Sequence, residues 1–256
     1  MTYDLAVFDA HTHPEDDFSR FSWLGNMILE EKPRCLILGG DLGRVDSMSR
    51  HGDTPPNTFR EDLECMHHAI SLMLNPIMDW NARRRNSRHK PHDMRIVWLE
   101  GNHEERARRV AKEDPHGFAS LLDWEDPFNF GRWWTERYEY GKIVNVNGID
   151  YTHVPRNKMG RPSAQSTILK QTSRHMIFGH NHTMQLLTTP VSGSENGVRM
   201  SLCAPCYMMD QSLEPYAANQ TNGWVYGLVR VRPRGSPTLP FSFDYLSMTD
   251  MEEMYG

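Results

Sequence analysis

Met94-Arg95-Ile96-Val97-Trp98-Leu99 runs directly into Glu100-Gly101-Asn102-His103-Glu104-Glu105. A run of β-forming apolar residues stops near a glycine, and an amide, an imidazole and two acids follow at once. This reads as a strand ending in a chemically loaded turn. Glu104 and Glu105 then open a helix whose dipole they complement, with Arg108 and Arg109 further along. The same pattern recurs along the chain. Leu5–Phe8 leads into Asp9-Ala10-His11, and Cys35–Leu38 into Gly39-Gly40-Asp41. Ile149–Thr152 leads into His153, and His175–Phe178 into Gly179-His180-Asn181-His182. Open α/β sheets place their ligands outside the carboxyl ends of their strands, and these clusters fall there.

Between the early strands, Phe59, Leu63, Met66, Ile70, Met73, Ile77 and Trp80 repeat every three or four residues, one face of a long amphipathic helix. Strand–helix alternation in the first half predicts βαβ units and a partly parallel sheet. In the second half Val198–Cys203, Trp224–Val231 and Phe241–Leu246 follow one another without helical patterns, which predicts a second sheet facing the first. The expected fold class is α/β, a sandwich of two mixed β-sheets with flanking helices. No internal repeat divides the chain, so one domain over 1–256 is expected.

With 38% hydrophobic and 24% charged residues among 256, the composition is that of an ordinary globular chain, not a disordered or fibrous one. No apolar run approaches the length of a membrane span, and acid and histidine interrupt the first segment before a signal-peptide core. A cytoplasmic protein with no membrane partner is the expectation. A net charge of −5 argues against a wholesale polyanion-binding surface while leaving local basic patches open. Four cysteines are too few for a disulfide scaffold, and Cys203-Ala204-Pro205-Cys206, with no helix pattern after it, reads as buried thiols. The 13 histidines direct attention to metal chemistry. Asp9 and His11, two apart on an extended exit, should point to one side, as should His180 and His182. Mixed imidazole, carboxylate and amide donors suit borderline-hard divalent ions such as manganese, iron or zinc.

In that order, Asp9-x-His11, Gly40-Asp41, Gly101-Asn102-His103-Glu104, the lone His153 and Gly179-His180-x-His182 resemble the calcineurin-like metallophosphoesterases. The resemblance spans Asp9 to His182, and the ordered set is specific although each piece alone is weak. It implies a four-layer sandwich and two divalent ions, manganese first, with iron or zinc as alternatives. By position, Asp9, His11 and His182 would hold one ion, and Asn102, His153 and His180 the other, with Asp41 bridging. His103 would be the non-ligand histidine that protonates the leaving oxygen or stabilises its charge. The implied activity is hydrolysis of a phosphate ester, with nucleotide or nucleic-acid phosphodiesters expected first. Phosphomonoesters and phosphoproteins are the alternatives on the same site. The family often has an acid or Asn three residues after the bridging Asp; here that place holds Arg44, with Asp46 close behind.

Arg44 and Arg156 are candidates for binding the substrate phosphate, and Arg161 also follows His153. The basic run from Arg83 to Lys90 reads as a solvated helix end, with a phosphate-tracking patch as the rival. Aromatic residues from Trp124 to Tyr140 are candidates for a cap at 113–141 that stacks on a base, or for a core segment. His51, His67 and His68 read as residues on or before the long helix, and His13 as solvated or in support of the ligands. Asp9-x-His11-x-His13 also resembles the opening of TatD-like amidohydrolase barrels, which would require a ring of eight parallel strands. The oligomeric state stays open.

Overall fold

The computed structural model describes residues 2–50, 57–113, 132–157, 159–171, 174–191, 197–210, 222–236 and 238–256. Among these residues the strands form two mixed sheets, accompanied by five α-helices. The first sheet is built on β1 (Asp4–Val7), β2 (Cys35–Leu38), β3 (Arg95–Leu99) and β4 (Glu136–Tyr138), all parallel. Its other edge is completed by β10 (Gly227–Pro233) and β11 (Phe241–Ser247), giving the order β11-β10-β1-β2-β3-β4. The second sheet has the order β5 (Val144–Val146), β6 (Ile149–Thr152), β7 (His175–Phe178), β9 (Val198–Cys203), β8 (Gln185–Pro190). Here β6, β7 and β9 are parallel, and β5 and β8 are antiparallel edges.

The alternating sides of β1 to β3 face two different cores. Ala6, Phe8, Ile37, Val97 and Leu99 meet Val146, Ile149, Tyr151, Ile177 and Leu202 of the opposite sheet in one apolar layer. Leu5, Val7, Leu36, Leu38 and Trp98 point the other way, into a cluster shared with three helices: α1 (Ser19–Glu31), α2 (Phe59–Asn86) and α5 (Met248–Tyr255). Strands covered on both faces carry apolar residues without alternation, which is why Cys35–Leu38 reads as a short continuous run. The long helix α2 begins at Thr58, whose hydroxyl accepts from the Glu61 amide while the Glu61 carboxylate accepts from the Thr58 amide at 2.6 Å. The short helix α4 (Gln165–Gln171) packs on β8 and β9. No helix among the described residues is long and apolar enough to cross a membrane.

One expectation is corrected. The segments 224–231 and 241–246 do not build the second sheet; β10 pairs antiparallel with β1, and β11 with β10. Val229 and Val231 reach the core between the sheets and Leu228 the core under the helices. Such alternation suits an edge of either sheet, so period alone cannot choose the partner. The two open sheets also leave no place for a closed ring of parallel strands, and the barrel expectation falls with them.

At the end of β3, Glu100 is 1% exposed and receives two bonds from Arg108 of α3 (Asn102–Glu113) at 2.8 and 3.0 Å. Arg137 of β4 adds a third at 2.7 Å. A buried carboxylate so bound ties strand, helix and neighbouring strand together at one point. Glu100→Ala removes the carboxylate that Arg108 and Arg137 share, and a loss of about 1–3 kcal/mol is expected in denaturant unfolding.

Candidate metal centre

The carboxyl ends of β1, β2 and β3 from one sheet, and of β6 and β7 from the other, open onto the same space. The exits from β1 and β7 depart from the extended conformation expected from the spacing of their residues. Asp9 (φ 51°), His11 (φ 47°), Asp41 (φ 51°), His180 (φ 70°) and His182 (φ 57°) all lie in the left-handed region. These turns, not alternation along a strand, bring paired side chains to one side. Each such residue outside glycine costs on the order of 1–3 kcal/mol, and such strain concentrates at functional sites.

The seven candidate ligands gather. Ring nitrogens Nε2 of His11 and His182 lie 3.0 Å apart, and Asp9 Oδ1 is 3.8 Å from His182 Nε2. On the other side, His153 Nε2 lies 3.2 Å from Asp41 Oδ2 and 3.0 Å from Asn102 Oδ1. The His180 ring stands edge-on to that of His153, with centroids 5.2 Å apart. Three groups have one donor atom per residue within 4.8 Å of one another: Asp9, His11 and His182; Asp41, His153 and His180; and His11, Asp41 and His103. Asp41 therefore stands between the two donor sets expected to hold separate ions.

Several features fit these residues to divalent cations. Asp9 and Asp41 are almost wholly buried, and Asp9 Oδ1 has no hydrogen-bond partner. Two nitrogens bound to one ion at about 2.1 Å would lie about 3.0–3.4 Å apart, which spans the separation of the His11 and His182 rings. Both carboxylates nest against glycine backbone: a Cβ at Gly101 would lie 2.0 Å from Asp41 Oδ1, and one at Gly179 2.3 Å from Asp9 Oδ2. Larger residues there would push the donors out of the pocket. The free Asp9 oxygen is fixed by its twin, which accepts from the His180 amide at 2.7 Å.

Glu104, expected to open α3 and to close the Gly101–Glu104 motif but given no role at the site, is a supporting residue of it. It is buried, and its carboxylate accepts from the amides of Gly101 (2.7 Å), Asp41 (3.0 Å), Leu42 (2.8 Å) and Gly43 (3.3 Å). One acid thus fixes both the turn carrying Asp41 and the turn carrying Asn102. Its place in Gly101-Asn102-His103-Glu104, two residues beyond a candidate ligand, was the available signal.

His103 Nδ1 donates to the Arg44 carbonyl at 2.7 Å, and its Nε2 accepts from Arg106 at 3.1 Å. Its backbone amide also donates to Asp41 Oδ1 at 2.9 Å. Arg44 pairs with Asp46 at 2.7 Å, and Arg106 with the same acid at 3.2 Å, so Asp46 anchors both cations beside His103. Arg156 stands over the Tyr140 ring, whose centroid is 6.0 Å from that of His153. His13 is buried, accepts from the Glu15 amide at 3.3 Å and belongs to none of the donor groups. Arg161 is exposed, and His68 packs its ring on Phe18. Both Cys203 and Cys206 are buried free thiols. Of the aromatic segment, Trp133 is in the core and Trp134 stacks near Trp98, while Trp124, Phe128, Phe130 and His51 lie outside the described residues.

Burial, reinforced by the charge of Asp41, pushes the Asp9 carboxyl up to about 8. For Asp41, burial would do the same, but the charges of His153 and His103 overcome it and hold the group well below the usual range. Burial alone would lower His153; Asp41 and Asp9 reverse this and raise it to about 9. Burial drives His182 down to about 3 and His103 to about 4, and lowers His11 and His180 as well. Most of the rings are thus neutral and able to donate a lone pair.

No protein-family model and no curated protein matches the chain. A solved crystal structure is similar over 74% of this chain and 70% of its own, at 13% identity and a TM-score of 0.28, a likeness too slight to carry an argument.

At neutral pH Asp9 and His153 both hold protons that a divalent ion must displace. Ion uptake is expected to release protons and to tighten as pH rises toward about 9, read by calorimetry in buffers of different ionisation enthalpy. Without ions, the two groups stabilise the fold while protonated. The Asp9 contribution is lost between pH 3.8 and about 8, and that of His153 between 6.5 and about 9. Chelation should therefore lower Tm more at about pH 8 than at about pH 6.

Proposed function

We propose that the chain is a dinuclear-metal phosphoesterase of the calcineurin-like kind, with its two sheets forming the sandwich of that family. The observation that carries the reading is Asp41: buried, its Oδ2 lies 3.2 Å from His153 and 3.8 Å from His11, members of the two donor sets. Asp9, His11 and His182 would hold one divalent ion, and Asn102, His153 and His180 the second, with Asp41 shared. Manganese is the first expectation, with iron or zinc as alternatives. Such a pair of ions, when bound, neutralises the oxygens of a phosphate ester and activates water for in-line attack.

The protein's own groups do the rest. Glu104 and the two glycines hold Asp41 and Asp9 against rotation, so the substrate phosphate would meet a preformed pocket. His153 donates Nδ1–H to the Gly39 carbonyl at 3.0 Å, which turns its Nε2 toward Asp41. His103 lies neutral beside Arg106. That geometry favours the second of its two expected roles, exercised through its partner: His103 positions Arg106, whose guanidinium would meet the charge that grows on the leaving oxygen. Arg44, held by Asp46, places a further cation next to the same site.

Among substrates, phosphodiesters of nucleotides or nucleic acids are proposed. Tyr140 and Arg156 support this reading by adding an aromatic and a cationic group beside His153. With manganese added, a bis-aryl phosphate should be cleaved faster than the mono-aryl compound; the reverse order assigns the site to monoesters. Asp41→Asn should abolish hydrolysis and lower the content of both ions. His103→Ala should keep the ions, measured by elemental analysis, while kcat falls about 10²–10³-fold. Loss of the ions in the His103 variant would make His103 a ligand.

A further inference from the structure

The cations around the candidate centre are almost all committed to acids. Arg44 and Arg106 share Asp46, and Arg108 and Arg137 share Glu100. Arg156 differs. Among the described residues it makes no ion pair, although its buried Nε, like that of Arg44, has no hydrogen-bond partner. What holds it is a ring: its Cζ lies 3.9 Å from the centroid of Tyr140. The next residue, Gly141, has φ +84°, and a Cβ there would come within 2.9 Å of the same guanidinium carbon. The Tyr140-Gly141 turn is therefore shaped to this side chain, with an aromatic face on one side and bare backbone on another. The contact fixes the plane of the guanidinium while leaving donors on its edge uncommitted.

The placement matters as much as the missing acid. Tyr140 stands edge-on to His153, centroids 6.0 Å apart, so the ring that braces Arg156 also borders the donor set around Asp41. A cation held on a ring outside the donor groups can meet a charge of the substrate other than the one at the centre. It is placed for the next charge along the substrate. We infer that Arg156, braced on Tyr140 and Gly141, is a subsite for a second anionic group of the substrate, the phosphate adjoining the scissile one. The inference rests on the phosphoesterase reading and narrows it to esters with more than one phosphate. Two sources share that chemistry: a polynucleotide, with its neighbouring phosphodiester, and a nucleoside polyphosphate.

The test compares substrates that differ only in the second phosphate, using the manganese-loaded full chain. Thymidine dinucleotides with and without a terminal phosphate represent the first source, and an aryl ester of a nucleoside diphosphate beside that of the monophosphate represents the second. The readout is the ratio of kcat/KM with and without the extra phosphate, so any general damage to the variant cancels. In the unsubstituted protein the extra phosphate should raise kcat/KM about tenfold in at least one pair, the effect of one charge-assisted hydrogen bond. The pair that responds identifies the source. Arg156→Ala should bring that ratio to about one through KM, and Arg156→Lys, which restores charge without the planar stack, should recover part of it. A ratio near one in the unsubstituted protein, or a ratio unchanged in Arg156→Ala, overturns the subsite while leaving the phosphoesterase reading in place. Failure of the unsubstituted protein to hydrolyse any of these esters overturns both.

Discussion

Two carboxylates, Asp9 and Asp41, are buried at the meeting point of two sheets with five imidazoles around them. Like charges in a dry pocket repel, and neither can be hydrated. The protein answers by splitting their behaviour: Asp9 is driven toward its protonated form and Asp41 is held ionised by neighbouring histidines. That compromise stores unfavourable electrostatics which a cation would relieve. Much else in the structure can be understood as the apparatus for keeping these groups where they are. The left-handed turns, the glycine backbone against each carboxylate and the four amides on Glu104 all restrict motion that would let the pocket swell and admit water.

Such strain needs a rigid base, and the two cores provide it. β1 to β3 are anchored on both faces, by the opposite sheet and by the helices, so their carboxyl ends are fixed in three dimensions. Phe8, the last apolar residue before Asp9, fills the space between the sheets and leaves the chain no slack. The strained residues begin where that packing ends. Stability is thus concentrated below the site and spent within a few residues above it.

How much of this was legible in the sequence depends on the kind of signal. The exits at Asp9, Asp41, Asn102, His153 and His180 were visible because an apolar run gives way abruptly to donors, and burial forces that contrast. Helix α2 was visible through its period. The partner of β10 was not, since alternating residues fit the edge of either sheet equally well. Helix α1 carries Phe21, Leu24 and Ile28 at helical spacing, but it starts after Phe18 with no capping side chain and ends on Lys32 rather than glycine, so its bounds had no marker. The left-handed turns at Asp9 and His11 had no marker, as neither residue is glycine. Glu104 was hidden by a correct but incomplete rule: acids belong at a helix start, yet this one is buried and binds particular amides.

His153 and His103 show how the same residue type is given different duties. Each donates Nδ1–H to a backbone carbonyl, Gly39 for the first and Arg44 for the second, and this fixes each ring and its tautomer. The difference lies at Nε2. In His153 that nitrogen faces Asp41 and Asn102, both of which offer oxygen atoms, so in the proposed centre a shared cation would take the place of its proton. In His103 the nitrogen already accepts from Arg106, and a cation placed there would have to displace a guanidinium held by Asp46 and the Arg44 carbonyl. Although His103 lies within 4.8 Å of donors on His11 and Asp41, its lone pair is engaged. In the proposed centre the division between ligand and non-ligand histidine would therefore be decided by the second neighbour of each ring rather than by its distance from Asp41.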